Sequence, residues 1–180
     1  MKKIDDKYKE DFSERLNALF DDEKWEEAKK LLKQEINKFP DEYFLLSSLS
    51  KVYFNLKQYE NSLIYSEKAI EIEPNDPLVV YDYCCALSAV GRYSEAISQL
   101  NSIIAKDINE VAYGDHGEGL RWAKSIINDS RYRKAICLIE LDEFEVAKEI
   151  IIEHLSKRER GVYSDFTKKQ VLIKQKSLDI

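Results

Sequence analysis

Residues 49–77, LSKVYFNLKQYENSLIYSEKAIEIEPNDP, hold the spacing that decides the fold. Leu49, Val52 and Tyr53 recur at the interval of a helix, and so do Leu63, Ile70 and Ile72 further on. Neither set alternates, as one buried face of a strand would. The two runs meet near Tyr59, and Pro74 ends the second, because a proline ring cannot continue a helix. Asp76-Pro77 then opens another run with a capping aspartate and a proline at the first helical position. The stretch reads as two antiparallel helices joined by a short turn.

Outward from this hairpin the pattern repeats. Pro40 and Pro74 lie 34 residues apart, and Trp25, Tyr59 and Tyr93 recur at the same interval, as do Ile36, Ile70 and Ile104. Ala28, Ser62 and Ala96 keep a small residue in the same register. The next period is 51: Tyr93 to Phe144, Ala96 to Ala147, Ile104 to Leu155. A slip of 17 shared by three positions is one insertion between Ile104 and Phe144, not loss of the repeat. The small residue marks where helices approach closely, and the aromatic at the turn fills the space between hairpins. Val90-Gly91-Arg92 supplies a turn with glycine where a helix ends.

These spacings predict helices near 5–21 and 24–38, 42–56 and 59–72, 77–90 and 93–106, with Asp41 and Asp76 as caps. A break covers 107–118, a long helix 119–141 and its partner 144–157. A last helix near 165–178, opened by Ser164 or Asp165, would cover the apolar end of the array. The expected architecture is an all-α solenoid of about four hairpins in a single domain over residues 1–180. Its repeats lie near 8–41, 42–75, 76–110 and 119–157, with a C-terminal capping helix.

Composition narrows the functions. Apolar residues make up 44% and charged residues 34% of the 180, which places the chain among globular rather than disordered proteins. Only five glycines and three prolines occur, too few for a fold rich in β-hairpins. A net charge of −6 argues against nucleic acid as a partner. The one basic cluster, Lys157-Arg158-Glu159-Arg160, reads as a helix C-terminus, where cations meet the negative end of the dipole. The start, MKKIDDKYKEDF, lacks the apolar segment of a leader, and no run approaches the ~20 apolar residues of a membrane span. Cys84, Cys85 and Cys137 sit in apolar helical patterns and read as reduced, buried side chains. Together these features lead us to expect a cytoplasmic chain with no membrane partner.

The stretch quoted first resembles a tetratricopeptide repeat, with Leu49, Tyr53, Tyr59, Ala69 and Pro74 at motif positions. Residues 79–104 are similar through Gly91, Tyr93, Ala96 and Ile97, and a looser match runs through 22–40 and 133–155. The resemblance implies that the first helix of each hairpin lines a concave surface that takes a peptide or protein. Family groove positions fall on Asn17 and Phe20, on Phe44, Ser48, Lys51, Phe54 and Asn55, on Leu78, Tyr81, Asp82, Cys85 and Ser88, and on Tyr132, Arg133, Ile136 and Ile139. Aromatic residues at such spacing serve packing as readily as recognition, so each has two readings. Relatives that clamp acidic chaperone tails place lysine, asparagine and arginine where this chain has Ser13, Asn17, Ser48, Leu78 and Asp82. Only the asparagine is kept, and Asp82 would repel such a tail, so that ligand is not expected.

The insertion DINEVAYGDHGEGLRW, residues 107–122, interrupts the period and gathers Tyr113, Asp115, His116 and Glu118 among three glycines. One histidine and two carboxylates are a sparse ligand set for a metal. The plainer reading is a solvated loop whose acidic residues cap the long helix, and no metal or cofactor is expected. His116 and His154 are the only histidines, neither beside a nucleophile, and no phosphate-loop, GxSxG or HExxH motif occurs. The chain is therefore expected to bind rather than catalyse. Its C-terminal part, residues 117–171, is also similar to small bacterial repeat proteins, some of which accompany toxins as immunity proteins. That likeness implies an alternative: a dedicated inhibitor masking one enzyme or toxin.

Overall fold

The computed structural model describes residues 4–178. Among them every regular element is a helix: α1 (Asp6–Asp21), α2 (Trp25–Ile36), α3 (Tyr43–Asn55), α4 (Tyr59–Ile72), α5 (Pro77–Ala89), α6 (Tyr93–Ile104), α7 (Ile108–Tyr113), α8 (Leu120–Glu140), α9 (Phe144–Ser156) and α10 (Lys168–Lys176). The chain divides into two compact units, Met1–Asn75 and Asp76–Ile180. The division falls between the second and third repeats.

In the first unit, α1 pairs with α2 and α3 with α4, and α2 also packs on α3. Its core is the inner stripe of these helices: Phe12, Leu16, Ala28, Leu32, Leu45, Leu49, Val52 and Tyr53. In the second unit α5 pairs with α6 and α8 with α9, while α6 and α7 both pack on α8 and α10 packs on α9. Ala28, Ala96 and Ala147 are wholly buried and Ser62 nearly so. A larger side chain there would hold the helices apart. Ser62 fits because Ser50 Oγ donates to its carbonyl at 2.8 Å and the two hydroxyls meet at 3.0 Å. A buried polar atom is tolerated when it is hydrogen-bonded in this way.

The four hairpin turns share one backbone. Glu23, Lys57, Gly91 and Asp142 all have positive φ, between 54° and 82°. They occupy one register of the repeat, two residues before Trp25, Tyr59, Tyr93 and Phe144. After each, a backbone N–H reaches back to close the preceding helix: Lys24 to Leu19, Gln58 to Tyr53, Arg92 to Leu87 and Glu143 to Leu138, at 2.8–2.9 Å. This is a Schellman closure, which satisfies carbonyls the helix leaves unpaired. Only one of the four carries the expected glycine.

Three expected caps differ. Asp76 does cap α5, accepting from Leu78 N–H at 2.8 Å with Pro77 next. The cap of α3, however, is Glu42 rather than Asp41, and its carboxylate accepts from Ile4 N–H at 3.3 Å instead of from its own helix. The last helix starts at Lys168, three residues later than expected, with Thr167 and Gln170 forming a reciprocal capping box. Ser164 and Asp165 do not open it because their polar groups are bonded to Asp129 on α8. Third, α8 begins at Gly119, with φ +94° and no side-chain cap, so the acidic loop residues do not cap it. The loop closes on α7 instead, through Gly119 N–H to Ala112 carbonyl at 2.9 Å. Gly117 permits this approach, since a Cβ there would stand 2.3 Å from Ala112 O. Within the expected break, Asp107 caps α7 by accepting from Asn109 and Glu110 N–H.

Candidate functional site

In the first unit the solvent-facing side of α1 and α3 presents Asn17, Lys51 and Asn55 as exposed side chains, with Phe20, Phe44 and Phe54 half-buried. Phe20 and Phe54 are repeat equivalents, and each leans on the aromatic of its own turn. Phe20 lies 5.4 Å from Trp25 and Phe54 lies 5.5 Å from Tyr59, centroid to centroid. The Lys51 ammonium stands 5.2 Å from the Phe20 ring, a cation on an aromatic face. Asn55 Nδ2 donates to Lys51 carbonyl at 2.9 Å. Phe44 stands apart, ten residues or about 15 Å of helix from Phe54. It packs edge-on to Phe12 at 6.3 Å and lies under Lys9. The face thus combines aromatic rings leaning on their turns with exposed polar groups around them.

The equivalent face of the second unit, on α5 and α8, is covered by the chain itself. Tyr81 and Tyr132 are 5% and 4% exposed. Tyr132 meets Phe166 edge to face at 4.6 Å. The Arg133 guanidinium sits 5.8 Å from the Tyr81 ring and 5.2 Å from the Phe166 ring. The Tyr81 hydroxyl donates to the Asp165 carboxylate at 3.2 Å. Asp82, next to Tyr81, is half-buried. The covering segment, residues 162–167, is non-helical.

Two residues outside the expected groove positions hold that segment. Asp129 on α8 accepts from Ser164 Oγ at 2.6 Å and from Asp165 N–H at 2.8 Å. Arg158 donates through Nη1 to Ser164 Oγ at 3.1 Å and to Phe166 carbonyl at 2.9 Å. The basic cluster is thus not merely a helix terminus: Arg158 turns inward. Asp129 is 3% exposed, and burial pushes its carboxyl up to about 6, held back by the bonds from Ser164 and Asp165. Burial likewise raises the Tyr81 phenol well above its ordinary value. The run SIINDSRY, residues 125–132, carried the signal for Asp129: a charge in the middle of a helix whose every neighbour from 125 to 130 is buried.

His154 anchors this arrangement from below and is fully buried. Its Nδ1 lies 2.8 Å from Asn128 carbonyl, which can only accept, so Nδ1 carries the proton. Nε2 then accepts from Arg158 at 3.3 Å. Burial, together with the charges of Arg158 and Arg131, lowers the imidazole pKa despite the bond to Asn128.

Of the insertion residues, His116 and Glu118 both lie near Asp76, while Tyr113 and Asp115 face solvent. Tyr113 is 69% exposed and Asp115 is exposed. His116 Nδ1 lies 3.7 Å from Asp76 Oδ2. Burial and the nearby Asp76 charge raise the Glu118 carboxyl. Among the described residues no three His, Cys, Asp or Glu side chains are grouped to hold a metal. Cys84, Cys85 and Cys137 are free and buried, with burial pushing the Cys85 thiol up to about 12 and that of Cys137 to about 11. No helix among the described residues is long and apolar enough to cross a membrane.

The hairpins, their common turn and the small-residue register define a class: an all-α protein of repeated helical hairpins. Comparison agrees. Residues 45–76 match the tetratricopeptide repeat family. The fold is also that of MamA (residues 41 to the end) from Desulfovibrio magneticus RS-1, at a TM-score of 0.64 and 15% identity, covering 86% of this chain and 77% of that one. A structure titled MamA RS-1 ArsTM double mutant aligns over the same shares at a TM-score of 0.63 and 17% identity. None of the curated proteins matches the sequence.

Proposed function

We propose that this chain is a non-catalytic interaction scaffold whose first-helix faces, the concave side of the repeat, bind a peptide segment of a partner protein. One observation carries the reading: on α5 and α8 that face already holds a non-helical peptide, the chain's own residues 164–166. Aromatic rings with polar neighbours also stand on α1 and α3, at other register positions, where Asn17, Lys51 and Asn55 are exposed around Phe20 and Phe54. Rings pinned by Trp25 and Tyr59 lose little freedom on binding, and that favours a recognition surface. Lys51, a cation exposed on this face of an acidic chain, suits a partner that brings carboxylates or backbone carbonyls to it.

The test is the double substitution Lys51→Glu with Asn55→Asp. Both side chains are exposed, so helical circular dichroism should hold, with stability lowered by about 1–2 kcal/mol through loss of the Lys51–Phe20 contact and two acidic groups near the C-terminus of α3. Affinity for a partner isolated on the intact chain should fall at least about tenfold, the loss of ~1.4 kcal/mol. Unchanged affinity would remove the first-unit face from the proposal.

A further inference from the structure

The segment that covers α5 and α8 is held in a manner that packing a helix cap does not require. Helix α10 attaches through Val171, which is wholly buried among Tyr132, Ala135, Leu138, Ile139, Ala147 and Ile151. That apolar contact suffices to close the end of a repeat array. The residues before α10 are gripped differently, by their main chain. The N–H of Asp165 goes to the Asp129 carboxylate at 2.8 Å, and the carbonyl of Phe166 receives Arg158 Nη1 at 2.9 Å. Main-chain groups are common to every peptide, so two side-chain clamps spanning a dipeptide bind a backbone whatever chain it belongs to.

Between the clamps lie two side-chain positions with distinct chemistry. The Phe166 ring meets the Tyr132 ring at 4.6 Å and the Arg133 guanidinium at 5.2 Å. Arg133 in turn faces Tyr81 at 5.8 Å, so a planar cation stands between two rings. The Asp165 carboxylate receives the Tyr81 hydroxyl at 3.2 Å. Asp129 is the costly part of this design. A carboxylate 3% exposed inside a helical repeat needs donors. Its recorded donors, Ser164 Oγ and Asp165 N–H, both belong to the covering segment.

We propose that Tyr81, Asp129, Tyr132, Arg133 and Arg158 form a recognition site for an extended peptide bearing an acidic residue followed by an aromatic one, with Asp165-Phe166 as its displaceable resident. The proposal rests on the reading of first-helix faces as peptide-binding and adds the ligand's chemistry. The resident lies at the surface: Tyr163 is 72% exposed, and Asp165 and residues 167–170 are exposed. It is joined to α9 through Gly161, whose φ of +82° lets the chain turn back. A tether this short gives the resident an effective concentration in the millimolar range. A partner must therefore outcompete it, which keeps weak, non-specific segments off the site.

The experiment uses a fluorescein-labelled synthetic peptide of residues 161–171, GVYSDFTKKQV, titrated onto the full chain and onto the full chain carrying Asp165→Ala and Phe166→Ala. The substituted chain should bind the peptide at least about tenfold more tightly than the intact one, because its tethered competitor keeps only its main-chain and Ser164 bonds and loses both side-chain contacts. Adding Arg133→Ala should abolish that binding, and so should replacing the peptide's own Asp and Phe by Ala. Equal affinity for both chains, or no binding to a substituted chain of native helicity, overturns the proposal. Should the substituted chain not fold, amide exchange of Asp165 in the intact chain decides. Excess peptide at millimolar concentration should accelerate exchange, and an unchanged rate overturns the proposal. Failure here with the Lys51→Glu, Asn55→Asp chain still losing its partner would leave the general scaffold reading standing. Success here with that chain unaffected would confine binding to the second unit.

Discussion

His154 and Asp129 show how two buried titratable groups in one hairpin pull the pH dependence of stability in opposite directions. The imidazole is harder to protonate in the folded chain than its ordinary 6.5, through burial and the neighbouring arginines. Its contribution is therefore present above that value and lost as pH falls through and below it. The Asp129 carboxyl titrates at about 6 when folded against 3.8 ordinarily. Its contribution is present below the lower value and lost as pH rises through the upper one. A single acid-unfolding curve blends the two, so the histidine has to be isolated by difference. Comparing the intact chain with His154→Gln by urea unfolding at pH 7.5 and pH 5.0 does so, since Asp129 is common to both. We predict that the intact chain loses more stability on acidification than the variant does. Equal losses would mean that burial and the neighbouring arginines do not hold His154 neutral. The part played by His154 was not readable beforehand. His154 is one residue in an apolar run, and its partners, Asn128 and Arg158, stand in no repeat register with it.

At the scale of the element, the hairpin turns explain why three of four repeats lack the glycine their backbone favours. A non-glycine residue at positive φ costs roughly 1–2 kcal/mol, while glycine costs ~0.5–1 in unfolded-state entropy. The Schellman closure and the aromatic that follows hold the turn whichever residue occupies it. Lys57→Gly should then stabilise by about 0.5–1 kcal/mol, raising Tm by roughly 1–4 °C. Gly91→Ala should lower it by a similar amount through backbone strain alone, since a Cβ there meets nothing within 4 Å. Thermal unfolding checks the pair, and a fall in Tm for both would contradict the shared-backbone account. The helices and their order were legible because apolar spacing recurs with the period. Turn geometry was legible only at Gly91, where residue type reports it. Caps misled where a side chain had a better partner elsewhere, as Glu42 has in Ile4 and Ser164 in Asp129.

Over the whole molecule, one hairpin plan is used four times, twice in each compact unit, with α7 and the glycine turn absorbing the 17-residue slip. Repetition makes such a fold visible from sequence, because each unit restates the same buried register. It also hides the site. Tyr81, Tyr132 and Arg133 stood out by register, but what they touch is set by Asp165 and Phe166, which occur once and beyond the last repeat. Contacts that are unique in a periodic chain leave no periodic trace. The central claim is that the first-helix faces carry binding. It is tested most directly by photo-crosslinking a benzoylphenylalanine placed at Asn17 or Asn55, exposed on α1 and α3, against the same probe at Ile64 or Ile152, which are 47% and 51% exposed on the second helices α4 and α9. The partner should be captured from Asn17 and Asn55 and not from Ile64 or Ile152; capture from the second-helix positions alone would contradict the account.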